Sequence, residues 1–382
     1  MKKNVGYVDW LILIPVVGLM LFSLAFVYSA SATIAEMKFG MPEKLVLNHS
    51  IRVIGGIILM LIISRVDYHL WQKISKPLLI ASIILLVVVL FAGEATKGAS
   101  RWLRLGFFSF QPSELAKFAM VLHFAALLTR KQDVIKDFKQ GFLPFIVWTL
   151  IICGLIALQP NFSTMIVIFF IAIALMFIGN VNLIHLFATG LIGIAAAGVY
   201  AVSATYRMNR IKAFLGLDGN ANPVETVNYQ LNQALIAIGN GGLFGVGPGQ
   251  NRQSHLFLPE SYGDFIFSII GEEYGFFGLL IVILAFAIIF WRGMIIAKKA
   301  PDNFGYFLAV GIIVTFAIYV FVNAGVNTGL LPTTGVPMPF ISYGGTAVIF
   351  YSIAIGVLLN ISAQAGVFPK TTKNKPKENE IE

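Results

Sequence analysis

Four carboxylates mark the junction between a long polar stretch and the apolar run that follows it. Glu260 and Asp264 lie at the start of the run, and Glu272 and Glu273 lie farther along. Four residues of an α-helix advance the chain by about 400°, so Glu260 and Asp264 would share one face. A helix N-terminus favours negative charge, which accounts for the first two acids but not for the deeper pair. An ionisable group inside an apolar segment is a functional candidate, because burial would raise its pKa toward that of a general base.

Arginines concentrate in two polar stretches, residues 94–111 and 205–262. They are Arg101, Arg104, Arg207, Arg210 and Arg252, with Lys212 beside them. A guanidinium group donates paired hydrogen bonds to phosphate, so the pattern favours a phosphate or pyrophosphate ligand. The alternative is that these loops tolerate basic residues without using them. Trp102 either anchors the chain at a membrane surface or packs against a sugar face, and the sequence alone favours the anchor.

Glu114 and Lys117 follow Gln111-Pro112-Ser113, a combination typical of a helix start. Since they are three residues apart, they can pair on one face of that helix. Such a pair inside an apolar segment is costly and normally faces the protein interior. This favours a structural brace over a catalytic role.

Two further patterns bear on ligands. The glycine-rich run 239–249 lacks the spacing of a nucleotide-binding loop, and we interpret it as backbone that approaches a ligand closely. The single cysteine, Cys153, excludes an internal disulfide and a cysteine-based zinc site. The five histidines are scattered along the chain, so no metal site is predicted.

The composition of the chain indicates which kind of secondary structure positions these residues. Of 382 residues, 58% are hydrophobic and 12% are charged, against about 45–50% and 25% in an average soluble domain. This balance excludes a soluble enzyme, a disordered chain and a fibrous repeat, and it predicts an all-α polytopic membrane protein. The net charge of +9 suits contact with anionic membrane lipid. No long basic soluble face exists to hold nucleic acid.

Apolar runs of about 20 residues predict ten membrane-spanning helices. The predicted spans are 9–31, 47–64, 77–93, 112–129, 142–159, 162–179, 182–204, 264–291, 304–327 and 342–362. The large outer loop, about 205–262, falls between spans 7 and 8. Sixteen Lys and Arg lie on the side of the termini and ten on the other, which predicts cytoplasmic termini. Residues 1–366 are predicted to form one transmembrane domain, and 367–382 a disordered cytoplasmic tail.

Four blocks of the sequence together resemble the SEDS family, the group that includes RodA, FtsW and SpoVE. The blocks are Lys97–Trp102, Gln111–Glu114 with Lys117, Leu258–Glu273 and Pro337–Gly345. They span most of the chain in the family's order. The resemblance implies a peptidoglycan glycosyltransferase that polymerises lipid II on the outer face of the bacterial cytoplasmic (inner) membrane.

The resemblance also implies roles for individual residues. The family's required acid corresponds to Asp264, which would be the general base that takes the proton from the acceptor sugar's 4-hydroxyl. That oxygen would attack the donor's anomeric carbon with inversion, and undecaprenyl pyrophosphate would leave. The candidates for substrate binding are Arg101, Trp102, Arg104, Arg207, Arg210, Arg252 and Glu260. The candidates for structural support are Glu114, Lys117, Glu272 and Ser342.

The family further implies a class B penicillin-binding protein as partner, contacted through membrane spans, and other division or elongation membrane proteins. The resemblance implies no cofactor. A divalent cation could bind the pyrophosphate, but the sequence shows no clear set of ligands for it. Residues Val27–Ala32 and Asn327–Pro332 favour an FtsW-like division enzyme over a RodA-like elongation enzyme. The rival functions are a lipid II flippase, which intramembrane charges would suit, and a non-catalytic scaffold.

Overall fold

The computed structural model of the protein describes residues 6–96, 99–105, 108–203, 208–209, 212, 214, 228–259 and 261–368. These residues are overwhelmingly helical, which confirms the predicted all-α class. The helices are α1 (Trp10–Phe39), α2 (Lys44–Ile63), α3 (His69–Ala92), α4 (Pro112–Arg130), α5 (Leu143–Leu158), α6 (Phe162–Ile178), α7 (Leu183–Val202), α8 (Asn228–Gly241), α9 (Gln253–Leu256), α10 (Ile266–Lys298), α11 (Asn303–Asn327) and α12 (Thr346–Gln364). The strands are β1 (Glu94–Thr96), β2 (Ala99–Leu105) and β3 (Phe108–Phe110).

Every predicted span falls on one of these helices, and the chain is a multi-pass membrane protein. Within the described ranges, eight helices are long and apolar enough to cross a membrane, when α5 is counted together with the π-helical turn Phe138–Phe142 that precedes it. Helix α6 is apolar but has 17 residues, and α4 contains the Glu114–Lys117 pair, so the count of ten stays a prediction. Helices α1 and α10 extend beyond their predicted spans, because hydropathy detects only the part of a helix that lies in hydrocarbon.

Residues 94–110, interpreted from the sequence as a plain loop, contain a three-stranded antiparallel sheet in the order β1-β2-β3. In the β2–β3 pair, Leu103 lies opposite Phe110 and Arg104 opposite Ser109. Leu103 and Arg104 follow the regular alternation of a strand and face opposite sides of β2. The pairing of β1 with β2 shifts beside Arg101, because Glu94 lies opposite Trp102 and Ala95 opposite Ser100. We call the end of the bundle that carries this sheet the sheet end.

The two chain termini meet at the opposite end of the bundle, which we call the terminus end. The main-chain N–H of Tyr7 donates to the carbonyl of Phe368 at 2.9 Å, and that of Gly6 donates to Ala363 at 2.8 Å. The described part of the chain therefore begins and ends on the same side of the bundle. The predicted tail is described only as far as Phe368.

A buried ion pair secures this junction. Asp9 is fully buried, and its carboxylate accepts hydrogen bonds from Arg292 Nη2 at 2.6 Å and Nε at 3.0 Å. The same carboxylate caps α1 by accepting the N–H of Leu11, and the Asp9 N–H donates to Ser362 Oγ at 3.0 Å. Asp9 therefore joins the beginning of α1 to α10 and to the end of α12.

A second polar cluster at the terminus end joins the connection between α2 and α3 to the connection between α10 and α11. His69 Nδ1 lies 2.7 Å from Asp67 Oδ1, and His69 Nε2 lies 2.9 Å from Asp302 Oδ2. Partial desolvation raises the pKa of Asp67, but hydrogen bonds from the main chain and ring of His69 and from Gln364 outweigh it and hold the pKa at about 2. Asp67 is therefore ionised at neutral pH and can bind the His69 ring.

Replacing Asp9 by Ala is expected to destabilise the protein by about 3–5 kcal/mol, because it leaves the Arg292 guanidinium buried without its counter-ion. The measurement is a denaturant titration of the purified protein in detergent. Asp133→Ala, at an exposed carboxylate of the same end, is the matched control and should change stability by less than about 0.5 kcal/mol. Equal effects of the two substitutions would show that the Asp9 pair contributes no special stability.

Candidate active site

Asp264 lies in the turn that precedes α10, and the amides of two asparagines in α11 hold this turn in place. The Asp264 carbonyl accepts hydrogen bonds from Asn323 Nδ2 at 2.8 Å and Asn327 Nδ2 at 3.0 Å. The Asn327 side-chain oxygen in turn accepts the main-chain N–H of Ser268 at 3.1 Å. The asparagines thus fix both the turn and the first turn of α10, while the Asp264 carboxylate stays separate from these contacts.

Ser342 supports the same turn from the other side. Its hydroxyl donates to the Gly263 carbonyl at 2.7 Å and accepts the N–H of Met338 at 2.8 Å. Asn323 Nδ2 also donates to the Val336 carbonyl at 2.8 Å. The uncharged loop 331–345 is therefore tied to the Asp264 turn, which is the supporting place predicted for Ser342.

A cavity of about 1000 Å³ opens beside Asp264. Its polar lining includes Asp264, Arg101 and Asn161, which lie at the sheet end. The rest is mainly apolar and comes from α6, α7, α11 and the loop 331–336. Along α6 the lining runs from Phe162 to Phe177, a length of about 22 Å at 1.5 Å per residue. The cavity therefore offers a charged mouth and a long apolar interior.

Arg101 is the predicted substrate-binding residue that the structure brings to this mouth. Its Nε donates to the Gln159 carbonyl at 3.2 Å, and its Nη2 donates to the Pro160 carbonyl. Trp102 and Arg104, the next predicted residues in β2, are not among the described residues that line the cavity. The pairing of β1 with β2 shifts at Arg101, so its side chain does not follow the regular alternation of Leu103 and Arg104.

The remaining predicted substrate-binding residues lie elsewhere. Arg207, Arg210 and Glu260 are outside the described residues. Arg252 is exposed at the start of α9, where its main-chain N–H donates to Glu272 Oε1 at 3.0 Å. Of the substrate-binding candidates that the structure describes, Arg101 alone lines the cavity with Asp264.

The deeper acids, Glu272 and Glu273, hold a loop rather than line the cavity. Both are almost completely buried. Glu272 accepts the main-chain N–H groups of Arg252 and Gln253, and Glu273 accepts that of Gly249 together with the side chains of Ser29 and Asn251. The two carboxylates therefore serve as structural anchors for residues 249–253.

The glycine run packs against α10 at a break in that helix. Gly275 has φ 65° and ψ −162°, which interrupts the helical hydrogen bonds. The N–H groups of Phe276 and Phe277 donate instead to the carbonyls of Gly242 and Leu243, and those of Val246 and Gly247 to Glu272 and Glu273. A Cβ on Gly245 would lie 2.1 Å from the Glu273 carbonyl, so only glycine fits there. This part of the run therefore contacts the protein's own helix, and the approach of the run to a ligand stays a prediction.

Glu114 and Lys117 form the predicted pair inside the bundle. Lys117 Nζ lies 2.7 Å from Glu114 Oε2, and the two residues are 2% and 5% exposed. The ammonium group also lies 4.0 Å from the ring centroid of Tyr319 and 4.8 Å from that of Tyr351. The rings stabilise the buried cation, which suits a brace between α4, α11 and α12.

The sequence analysis missed Asn323 and Asn327, the residues that position Asp264. Their spacing of four residues inside an apolar span is a usable signal, because it places two amides on one helix face. Within the part of the chain that the structure describes, no group of three or more His, Cys, Asp or Glu side chains is arranged to hold a metal ion. The described residues therefore provide no metal ligand set.

The site thus combines an acid and an arginine at the mouth of an apolar cavity in a multi-pass membrane protein. Residues 9–366 match the family model of FtsW, RodA and SpoVE, described as "Cell cycle protein". The chain belongs to this family.

Three similar proteins illustrate the family. The chain is 40% identical to the "Probable peptidoglycan glycosyltransferase FtsW" of Trichlorobacter lovleyi, over 96% of each chain. It is 40% identical to the "Stage V sporulation protein E" of Bacillus subtilis, over 93% of this chain and 96% of the relative. A solved structure titled "Structural coordination of polymerization and crosslinking by a peptidoglycan synthase complex" contains a chain with a TM-score of 0.76. That chain is 25% identical, and the match covers 94% of this chain and 98% of that one.

Glu114→Gln is expected to destabilise the protein, because it leaves the Lys117 ammonium buried without its counter-ion. Adding Lys117→Met should recover part of that stability, with a coupling free energy of about 1–3 kcal/mol between the two sites. Denaturant titrations of the wild type, both single variants and the double variant measure this coupling. A double variant that is no more stable than Glu114→Gln would contradict the brace.

Proposed function

We propose that the protein is a peptidoglycan glycosyltransferase of cell division that polymerises lipid II, with Asp264 as its general base. The observation that carries the proposal is the shared cavity, in which Asp264 and Arg101 lie at one end of a long apolar interior. Lipid II combines a sugar, a pyrophosphate and a long apolar chain, and these match the acid, the arginine and the interior in turn. The relative named FtsW carries the same activity in its name.

The chemistry follows from these groups. The Asp264 carboxylate accepts the proton of the acceptor's 4-hydroxyl as that oxygen attacks the donor's anomeric carbon. The bond from the anomeric carbon to the pyrophosphate oxygen breaks, and undecaprenyl pyrophosphate leaves with inversion at carbon. Arg101 is placed to stabilise the negative charge that develops on the leaving group. The other predicted arginines and Glu260 stay candidates for substrate contact outside this cavity.

The orientation in the membrane is part of the proposal. The termini meet at one end of the bundle, and the larger share of Lys and Arg lies in the loops of that side. Positive residues favour the cytoplasmic side, so the terminus end is cytoplasmic and the sheet end faces outward. Asp264 and Arg101 then lie at the outer surface of the bacterial cytoplasmic membrane, where lipid II is consumed.

The proposed partner is a class B penicillin-binding protein, bound through membrane spans. The solved complex is titled for both polymerisation and crosslinking, and the second activity belongs to a transpeptidase partner. Other division membrane proteins would join the same assembly, as the similarity to FtsW proteins suggests. The pyrophosphate charge is assigned to arginine, and no metal ligand is part of the proposal.

A lipid II flippase is the main rival. Passage of a disaccharide and a pyrophosphate needs polar groups through the depth of the membrane. Below its mouth the cavity lining comes from residues such as Phe170, Ile173, Phe177 and Leu186, which are apolar. This distribution suits an anchored lipid chain and chemistry at one face.

Asp264→Asn is expected to lower the rate of glycan polymerisation by at least about 100-fold, the scale of a lost general base. Binding of lipid II should stay within a few-fold of the wild type, because the amide keeps the side chain's size. The assay is polymerisation of purified lipid II with the cognate class B partner, with Asp133→Asn as the matched control. If Asp264→Asn still forms long glycan strands, Asp264 is not the general base. If neither the wild type nor the variants form strands although the complex is folded, the flippase or the scaffold is favoured.

Arg101→Ala is expected to lower kcat/KM for polymerisation about 10- to 100-fold, because it removes one charge-assisted contact with the pyrophosphate. Arg104→Ala is the matched comparison in the same strand, and a much smaller effect is expected because Arg104 does not line the cavity. If both substitutions lowered kcat/KM equally, Arg101 would not be the residue that binds the pyrophosphate in the cavity.

A further inference from the structure

A half-buried arginine in α2 lies near the Asp264 turn but outside the cavity. The guanidinium carbon of Arg52 is 5.1 Å from the ring centroid of Tyr343. Among the described residues, no carboxylate forms an ion pair with Arg52. Arginine in a membrane span is costly without a counter-ion, so this cation has capacity for an anionic ligand.

The N-terminus of α12, beside Arg52, also favours an anion. A Cβ on Gly345 would lie 3.9 Å from the Arg52 guanidinium carbon, so the guanidinium borders the N-terminus of α12. That helix begins without a side-chain cap or an acid in its first turn, and its N–H groups carry partial positive charge.

Two tyrosine rings separate this arginine from Asp264. Tyr343 donates its N–H to the Tyr262 carbonyl at 2.9 Å, and the two rings meet edge to face at 5.5 Å. Tyr262 lies two residues before Asp264. Among the described residues, Asp264 and Arg101 line the large cavity, whereas Arg52, Tyr262 and Tyr343 do not. Tyr262 therefore connects this group to the Asp264 turn, while the cavity lining includes Asp264 and none of Arg52, Tyr262 and Tyr343.

The proposed reaction joins two lipid-linked substrates at one base, and their pyrophosphates must occupy different places. The donor's pyrophosphate is bonded to the reacting carbon, so its site borders the base, as Arg101 does. The acceptor reacts through the 4-hydroxyl of its outer sugar, so its pyrophosphate must lie one disaccharide away from the base. Arg52 meets this requirement, because Tyr262 and Tyr343 separate it from Asp264.

We propose that Arg52, Tyr343 and Tyr262 form the acceptor site, which holds the pyrophosphate and sugars of the incoming lipid II. This inference rests on the proposed function. Arg52 and the N-terminus of α12 bind the pyrophosphate, and the tyrosine rings pack against the sugars. Arg52 is a positioning residue, because it acts through the acceptor's placement and not on the reacting atoms.

The test separates donor from acceptor. Labelled lipid II whose 4-hydroxyl is capped with galactose can donate but cannot accept, and unlabelled lipid II supplies the acceptor. The rate of label transfer is measured as each substrate is varied, in detergent micelles free of phospholipid and in phosphatidylglycerol vesicles. Arg52→Gln should raise the half-saturating concentration of the acceptor about tenfold or more, the scale of a lost charge-assisted contact, and leave that of the capped donor within about twofold.

The controls distinguish this proposal from the one on which it rests. Arg101→Gln should show the reverse pattern, and Arg65→Gln, at the exposed other end of α2, should change neither substrate. Strand formation by the wild type and its loss in Asp264→Asn test the glycosyltransferase itself. If those results hold while Arg52→Gln leaves the acceptor dependence unchanged, the acceptor site alone is refuted.

Two other outcomes would also overturn the proposal. An effect of Arg52→Gln in vesicles but not in micelles would mean that Arg52 binds phospholipid headgroups. A larger effect on the donor than on the acceptor would place Arg52 in the donor site. Gel filtration and a melting curve show whether Arg52→Gln folds. If it does not fold, Tyr343→Leu replaces it as the test, because this variant keeps the Arg52 charge. Tyr343→Leu should raise the half-saturating concentration of the acceptor and leave that of the donor unchanged.

Discussion

A main-chain group in an apolar interior needs a partner within the protein, and the break in α10 depends on this constraint. At Gly275 the helix loses its regular hydrogen bonds, and the glycine segment 242–247 replaces them with main-chain contacts. Glu272 and Glu273 then hold the rest of that loop through its N–H groups. The beginning of α10, where Asp264 lies, is thus attached to a loop as well as to other helices.

The same constraint makes the site rigid. Side-chain amides of Asn323 and Asn327 satisfy the Asp264 carbonyl, and the Ser342 hydroxyl satisfies that of Gly263. The main chain of the turn that carries the acid is therefore held by neighbours on α11 and on the loop before α12. A site supported in this way keeps its geometry when lipids exchange around it.

Sequence reasoning reaches only part of this arrangement. The helices could be predicted because apolar runs report directly on hydrocarbon, and Asp264 was found through a motif. The sheet could not, since its strands are short and their pairing is a property of folded geometry. Without the sheet, the sequence does not show that Arg101 lines the cavity and that Arg104 does not. Composition also shows that the glycine run needs space, but not that α10, which follows it in the chain, fills part of that space.

The buried pair at the terminus end also has a consequence for biosynthesis. Asp9 and Arg292 are 283 residues apart, and translation adds about 5–20 residues per second. The first helix therefore enters the membrane roughly 15–60 s before its counter-ion exists. During that interval Asp9 has to stay at the aqueous boundary, and α1 can take its final depth only after α10 and α12 have been inserted. Helices α10 and α12, which are synthesised late, therefore fix the final position of α1.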